Sequence, residues 1–374
     1  MAAGRTEEQE ILARTARELL RGYPPGRLRA LRDGHDPDGF SRTLWAEMAR
    51  LGWLGIVVPE AYGGAGLGWR DLQVVLEELG RVLAPEPVLS AVVGASALLL
   101  GGEEAQRRAH LPAVAAGERL VALAYQEPGS RFDPACVATR AERSGEGWRL
   151  SGEKTHVLDG HVADWLVVSA RADEGITLFL VPRGAPGLAA ERLWRVDGRG
   201  AARLRLDGVA VGREAVLGAV GAGDALLGRV LDRATIALAG MMLGAMTAAF
   251  EMTLDYLKTR TQFGVLIGTF QALKHRAARM YVETELARSV VTAAHAALDT
   301  GADETQVARL AAAAKARAAD AFLLIANEGI QMHGGIGMTD EHDIGFFLKR
   351  ARAAAVTFGD AAYHRDRMAA LEGY

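Results

Sequence analysis

The spacing of apolar residues changes twice along this chain, and these two changes limit its fold more than any other feature of the sequence. From Thr6 to about Gly117 apolar residues recur at the spacing of helices. Between about Leu120 and Gly218 the period becomes two, and Gly, Pro and Asp turns separate the runs, as in a small barrel or sandwich. Helical spacing then returns, beginning with one long apolar stretch. The pattern predicts a multidomain fold of α and β parts, with a helical domain over residues 1–118, a β domain over 119–220 and a helical bundle over 221–374.

Composition narrows the possible classes of protein. Half of the 374 residues are hydrophobic, so the chain is long and apolar enough to bury a large core. The net charge of -3 favours neither nucleic acid nor an anionic membrane as a partner. The single cysteine, Cys136, has no internal partner for a disulfide or a metal site, which fits a reducing cytoplasm. We find no apolar run long enough to cross a bilayer and expect no membrane insertion.

The segment from Tyr256 to Gln271 is the first candidate binding element. Tyr256 and Arg260 lie one helical turn apart, and glycines then interrupt the helix before it resumes near Gln271. Arg260 carries a permanent charge on a planar fork of donors, which suits a phosphate, and Phe263 offers a flat apolar surface beside it. Spacing alone favours a plainer interpretation, an ordinary corner between two helices with an arginine on its surface.

A glycine cluster after Gln331 is the second candidate. Gly334 and Gly335 follow a predicted helix, and glycine lets a backbone N–H approach a phosphate closely. Read alone, such a cluster is a common way to end a helix. Histidine is the residue type that titrates near neutral pH, but for His333 a packing or capping role fits better.

Together these segments resemble signatures of the acyl-CoA dehydrogenase family, in which the first reads Y-x-x-x-R-x-x-F-G followed by F-Q and the second reads Q-x-x-G-G-x-G. The segment from Trp53 to Gly66 resembles part of that family's N-terminal helical domain. The resemblance covers nearly the whole chain and implies the three-domain acyl-CoA dehydrogenase fold. It also implies FAD as cofactor, an acyl-CoA thioester as substrate and an electron-transfer flavoprotein as acceptor. A role in fatty acid or lipid catabolism and assembly as a dimer of dimers follow from it as well.

In this family the two segments reach the FAD of a neighbouring subunit, and the second binds its diphosphate and ribityl parts. The resemblance therefore implies seven residues that bind FAD across a subunit interface: Arg260, Gln262, Phe263, Gln271, Gln331, Gly334 and Gly335. These segments match the family pattern better than the segments that would serve the chain's own flavin site.

The β domain departs from the family pattern at the positions that face the flavin. Glu127 and Pro128 match the family's T-E-P sequence, but Gln126 replaces its threonine. His156 falls where the family has a tryptophan that stacks on the flavin, and an imidazole offers less contact area. The resemblance still implies flavin contacts for Gln126 and His156, although plain strand positions would explain them too.

The family's catalytic base is missing from its two usual positions. That base is a glutamate that removes the α-proton of the thioester, and burial suits it to this task because burial raises its pKa. Phe358 stands at one position and Ala234 at the other. Asp232 and Asp360 are near in the sequence, but each would serve only after a shift of the local backbone. The sequence therefore assigns no catalytic residue.

Several functions stay open on the sequence. The favoured one is a subunit of a heteromeric dehydrogenase that clamps the FAD of a related, Glu-bearing chain. Residues 333–367 resemble the small, Glu-lacking subunits of such enzymes, for example pimeloyl-CoA dehydrogenase. The alternatives are a self-sufficient dehydrogenase with Asp232 or Asp360 as base, a flavin-dependent monooxygenase on the same fold and a purely structural protein.

Overall fold

The computed structural model describes residues 4–374, and six helices precede the sheet in that range. They are α1 (Glu7–Leu20), α2 (Arg27–Asp33), α3 (Arg42–Arg50), α4 (Trp69–Arg81), α5 (Val88–Gly101) and α6 (Glu104–Ala115). Thr6 and Gln9 form a capping box at the start of α1, which satisfies two backbone N–H groups. Helix α5 has small or apolar residues on every side and is buried along most of its length, as expected for a helix inside a core.

Eight strands form one sheet in the middle of the chain. They are β1 (Val121–Ala124), β2 (Arg140–Ser144), β3 (Gly147–Leu158), β4 (Trp165–Ala172), β5 (Gly175–Pro182), β6 (Leu188–Trp194), β7 (Gly200–Val211) and β8 (Val216–Leu217). The order across the sheet is β6-β7-β3-β2-β4-β5-β8, and β1 pairs with β4 in parallel. Strand β3 pairs with β7 in antiparallel register, and the register shifts between Lys154 and Val157. This bulge contains His156 and turns it out of the regular alternation.

Five helices follow the sheet: α7 (Gly223–Thr259), α8 (Gln271–Asp299), α9 (Glu304–His333), α10 (Ile344–Val356) and α11 (Ala361–Leu371). A hairpin of β9 (Thr261–Gln262) and β10 (Val265–Leu266) joins α7 to α8. Glycine lets α7 approach α4 closely, since a Cβ on Gly244 would lie 1.8 Å from the carbonyl oxygen of Glu77.

Contacts between Cα atoms divide the chain into two compact units. The helical unit contains the residues up to Gly34 together with Trp69–Ala84 and Thr235–Tyr374. The sheet unit contains His35–Gly68 and Pro85–Ala234. Helix α7 begins in the sheet unit and continues into the helical unit.

The predicted fold class is confirmed: helices at the N-terminal end, a sheet domain in the middle and helices at the C-terminal end. Three strands of the sheet were missed: β2, β6 and the two-residue β8. Strand β2 has the sequence RAERS, in which only Ala141 is buried, so it lacks the apolar alternation that indicates a strand. Strand β6 has no fully buried residue.

The expectation about membrane spans was wrong in one respect. Helix α7 is long and apolar enough to cross a bilayer by length and composition, because one window of 18 residues has a mean hydropathy of 1.4. However, 72% of that window is buried inside the protein. A core helix passes the same test, and burial of this kind is what a core helix shows.

Candidate functional site

The end of α7 and the start of α8 bring one group of candidate residues together on the helical unit. The amide of Arg260 donates to the carbonyl oxygen of Tyr256 at 2.9 Å, which continues the helical pattern by one residue. The hairpin then turns through Phe263 at φ 54° and Gly264 at φ 78°. A hydrogen bond of 2.9 Å from the Ile267 amide to the Arg260 carbonyl closes it. Arg260 therefore lies at the base of a short closed hairpin.

The side chains around this hairpin are exposed. Phe263 is 91% exposed, and its ring contacts that of Phe270 with centroids 6.1 Å apart. Gln262 is exposed too, but its side-chain amide is bound locally to the carbonyl of Thr261. Arg260 and Gln271 are exposed, and neither side chain has a hydrogen-bonding or ionic partner within residues 4–374. An open cation beside a large exposed aromatic ring is typical of a binding surface.

The end of α9 carries the second group. Gly334 follows the helix with φ 66° and ψ -140°, a conformation that is essentially restricted to glycine. Gln331, Gly334 and Gly335 are exposed, and a Cβ on either glycine would meet no atom within 4 Å. The backbone at this helix end is therefore open to a ligand.

Three aromatic rings join the two groups. Tyr256 stacks on His333 with ring centroids 4.5 Å apart and planes at 30°, and His333 lies 4.5 Å from the ring of His342. Burial lowers the pKa of both imidazoles and so favours their neutral form. Tyr256 is one turn before Arg260, and His333 directly precedes Gly334, so the stack fixes the end of α7 beside the end of α9.

An ion cluster holds the loop after the glycines against α2. The Arg32 guanidinium donates to the two carboxylate oxygens of Asp340 at 2.8 and 2.7 Å. The Nε of Arg29 donates to the Asp340 carbonyl at 2.8 Å. The Arg32 guanidinium also holds the pKa of Asp340 well below its usual range. Because these groups are largely exposed, they add little stability, and their main effect is to set the path of the loop.

Gln126 and His156 are neighbours within the sheet unit. The amide of Thr155 donates to the carbonyl oxygen of Gln126 at 2.8 Å, which joins the segment after β1 to β3. His156 is exposed and has φ 52°, which is uncommon for a residue other than glycine. Its Nδ1 lies 3.1 Å from the Thr155 hydroxyl. Partial burial, followed by the charges of Arg195 and Arg203, lowers the pKa of His156.

A buried ion pair lies next to these two residues in the sequence and joins the segment after β1 to β3. The Lys154 Nζ lies 2.5 Å from a carboxylate oxygen of Glu127 and donates to the Ser169 hydroxyl at 3.0 Å. The amides of Ala138 and Thr139 donate to the same carboxylate at 2.6 and 3.0 Å. Burial lowers the pKa of Lys154 to about 8. Burial alone would raise the pKa of Glu127, but Lys154 and the amides more than offset this and lower it.

The turn before α11 carries Phe358, where the resemblance expects a glutamate. Phe358 is half-buried at φ 59°, and Gly359 follows at φ 106°. The Nε2 of His364 donates to the Phe358 carbonyl at 2.9 Å. The Nζ of Lys315 donates to the carbonyls of Ala355 and Gly359 at 3.0 and 2.7 Å. The turn is thus held by buried side chains and displays no acid at position 358.

The two aspartates that the sequence offers as substitute bases occupy different settings. Asp360 caps α11, since its Oδ1 accepts a hydrogen bond of 2.8 Å from the Tyr363 amide. Asp232 lies on α7 within the sheet unit and is 3% exposed. Across residues 4–374 there is no group of three or more His, Cys, Asp or Glu that could hold a metal ion.

Sequence reasoning missed the buried supports of these sites. Lys315 lies in the run AAAAKARAA, where small residues on all sides of a helix indicate close packing, and that run was the available signal. Lys154 lies at an inward position of β3, so strand alternation could have placed it inside. The stack of Tyr256, His333 and His342 left no such signal, because it joins residues distant in the sequence.

Models of one protein family match this chain along nearly its whole length. The family model of the acyl-CoA dehydrogenase N-terminal domain matches residues 6–118, that of the middle domain matches 122–209 and that of the C-terminal domain matches 221–371. Mitochondrial isovaleryl-CoA dehydrogenase of Pongo abelii is 31% identical, over 97% of this chain and 88% of its own length.

Two solved structures are similar over almost their full length. A variant of the Tcur3481-Tcur3483 steroid ACAD is 36% identical with a TM-score of 0.88, and the match covers 98% of each chain. The ChsE4-ChsE5 complex from Mycobacterium tuberculosis contains a chain that is 28% identical with a TM-score of 0.89, over 99% of each chain. The chain described here belongs to the acyl-CoA dehydrogenase family of oxidoreductases.

Proposed function

We propose that this chain is one subunit of a heteromeric, FAD-dependent acyl-CoA dehydrogenase. It clamps the FAD of a related chain and leaves removal of the α-proton to that chain's glutamate. The observation that carries the proposal is the turn at Phe358, whose backbone is fixed by buried hydrogen bonds but whose displayed side chain cannot accept a proton.

The donors at the ends of α7 and α9 and at the start of α8 fit the diphosphate of FAD. Arg260 is a permanent, exposed cation with no ionic partner in the part of the chain that the structure describes. The amides of Gln271 and Gln331 add neutral donors, and the open backbone at Gly334 and Gly335 lets an anion approach closely. A diphosphate would therefore gain charge-assisted hydrogen bonds without displacing an existing partner of these groups.

The tasks of this chain are to bind and to orient, since it supplies no base at the usual position. When bound, the flavin of this family accepts a hydride from the β-carbon of the thioester while a base removes the α-proton. Phe358 offers only apolar surface at that position. Phe263 offers an exposed apolar surface in the hairpin that follows Arg260.

A substitute base in this chain has less support. The Asp360 Oδ1 accepts a hydrogen bond from the Tyr363 amide, and a shift of the carboxylate that breaks this bond uncaps α11 at a cost of about 1 kcal/mol. Asp232 is buried on a long helix, so a shift of that carboxylate requires a shift of packed backbone.

The names of two similar proteins support the proposal that this chain works with a second, related chain. The ChsE4-ChsE5 complex and the Tcur3481-Tcur3483 steroid ACAD are each named for two components. The second name also makes a steroid-type acyl-CoA a sensible first substrate to test. Electron-transfer flavoprotein is the acceptor that the family resemblance suggests for this chain.

Co-purification tests the proposal. The chain is produced alone and together with a related, Glu-bearing chain, and each sample is mixed with butyryl-CoA or a steroid-type acyl-CoA without oxygen. We expect loss of visible flavin absorption only in the two-chain sample. Strong bleaching by the chain alone would contradict the missing base, and failure of any Glu-bearing chain to co-purify would contradict the heteromer.

A further inference from the structure

Two buried side chains that the proposed function does not use, Lys315 and His364, hold the turn before α11. We infer that they are positioning residues that fix the display of the side chain at position 358, so that a carboxylate placed there acts as the base this chain lacks. The inference rests on the proposed function, because that function takes position 358 to face the acyl-CoA.

Lys315 joins the end of α10 to the turn. Its side chain is fully buried on α9, and its Nζ donates to the carbonyls of Ala355 at 3.0 Å and Gly359 at 2.7 Å. No carboxylate lies within ion-pair distance of it in residues 4–374, and Asp360 acts on it only from farther away. Burial lowers the pKa of Lys315 to about 7. A neutral amine still has two N–H donors, which is enough for both carbonyls.

His364 holds the middle of the same turn. It is 1% exposed, and its Nε2 donates to the Phe358 carbonyl at 2.9 Å. Burial, followed by the charge of Lys315, lowers the pKa of His364 to about 3, while Arg367 lowers it and Asp360 raises it by smaller amounts. The imidazole is therefore neutral at physiological pH and carries its proton on Nε2, because a carbonyl can only accept.

The backbone between these supports adopts an uncommon conformation. Phe358 lies in the left-handed region at φ 59°, which is rare for a bulky residue. A Cβ on Gly359 would lie 2.4 Å from the ring of Tyr363 and 2.9 Å from the His364 Nε2. With the carbonyls of residues 355, 358 and 359 all bound by the two side chains, the turn is over-determined. Such conformations persist where the surroundings enforce them, and they concentrate at functional sites.

The first experiment measures the turn itself, without flavin or substrate. Amide hydrogen exchange of the peptide that contains Thr357 is compared between the native chain, Lys315→Met and His364→Leu. Lys258→Met is the matched control, because the Lys258 side chain is 70% exposed. We expect exchange at least about tenfold faster in the two turn variants, with the amides of α8 unchanged. His364→Gln keeps a side-chain N–H donor, so its amide exchange should stay slow, in contrast to His364→Leu. This pair of variants keeps the test valid if Lys315→Met fails to fold.

The second experiment gives the turn a carboxylate. In Phe358→Glu, a flavin-loaded sample is incubated with butyryl-CoA in D2O, and deuterium at the α-carbon is measured. The carboxylate takes the α-proton, breaking C–H and forming O–H, and returns a deuteron after exchange with solvent, so this exchange step itself needs no electron transfer. We expect exchange about a hundredfold or more above the native chain, the usual scale of general-base catalysis. Phe358→Gln is the matched control without a proton acceptor.

Amide hydrogen exchange and isotope exchange at the α-carbon test different parts of the inference. Absence of isotope exchange in Phe358→Glu overturns the assignment of position 358 to the acyl-CoA site, whatever the amide exchange shows. If Phe358→Glu works and the added Lys315→Met leaves both the rate and the pH profile of exchange unchanged, the positioning role is overturned. If the double variant loses isotope exchange and its turn amides open, the inference is supported.

Discussion

Two regions of the helical unit differ in what they keep of the family's pattern. At the exposed ends of α7 and α9 and the start of α8, Arg260, Gln331 and Gln271 match the pattern in position and in side chain. At the turn before α11, the backbone is held by buried Lys315 and His364, but the displayed residue is Phe358. The first region keeps the side chains that the family pattern assigns to FAD binding. The second keeps only the buried residues that hold the turn.

The sheet unit repeats the second situation. Glu127 and Lys154 form a buried pair that joins the segment after β1 to β3, while the neighbouring Gln126 and His156 depart from the family pattern. The difference has a physical reason. Removing one partner of a buried ion pair costs several kcal/mol, whereas exchanging an exposed side chain usually changes stability by less than about 0.5 kcal/mol. Buried supporting residues are therefore kept even where the neighbouring residues of the site have changed.

The largest effect on stability should come from removing one partner of a buried ion pair. Lys154→Met leaves Glu127 buried without a cation, and loss of one partner of a buried pair costs about 3–5 kcal/mol. Chemical denaturation measures this as a drop in the free energy of unfolding. Lys258→Met is the matched control, because it removes an exposed amine. A decrease in the free energy of unfolding below about 1 kcal/mol would show that the ion pair contributes little to stability.

The next largest effect should come from the exposed region and should spare stability. Arg260→Ala removes a charged hydrogen bond to the diphosphate, worth roughly 1.5–3 kcal/mol of FAD binding. Because the Arg260 side chain is exposed and has no partner within residues 4–374, the free energy of unfolding should stay almost constant. Fluorescence titration of FAD into the assembled protein measures the affinity, with Lys258→Ala as control. Unchanged flavin occupancy would remove Arg260 from the clamp.

A smaller effect should come from the glycine loop. Gly334 has φ 66° and ψ -140°, so Gly334→Ala should destabilise the protein by about 1–3 kcal/mol and weaken FAD binding. Gly335→Ala is the matched control, because Gly335 has no positive φ and a Cβ there meets no atom within 4 Å. Thermal denaturation of both variants measures the contrast. Equal melting temperatures would show that the backbone at Gly334 relaxes without strain.

The sequence predicted most of the fold because its helices are long and its signals are local. The start of α8 at Gln271 and the end of α7 near Arg260 could be read from apolar spacing and glycines. Strand β2 could not, because charged residues fill its exposed positions. Helix α9 ends at His333, directly before the glycines that the sequence indicated as a helix end.

The candidate site divides in the same way. Its exposed residues, such as Arg260 and Gly334, fall in short motifs that can be recognised in the sequence. Its supports do not, because Lys315 reaches carbonyls about 40 positions away. A hydrogen bond from a side chain to a carbonyl places no demand on the partner's side chain, so neither residue type signals it.

The smallest effect concerns the pH dependence of the ring stack that joins the two helix ends. Burial lowers the pKa of His333 below its ordinary value, with Tyr256 and His342 as the rings that face it. The unfolded chain therefore binds a proton at this residue more readily than the folded chain, and folding stability falls as the pH drops through about 6.5. His333→Phe keeps a ring in the stack but removes the titration, so its unfolding free energy should fall less between neutral and acid pH. It also removes the bond to the Gly329 carbonyl, a loss that should not vary with pH, so only the slope is diagnostic. Identical slopes for the native chain and the variant would place the acid sensitivity outside this stack.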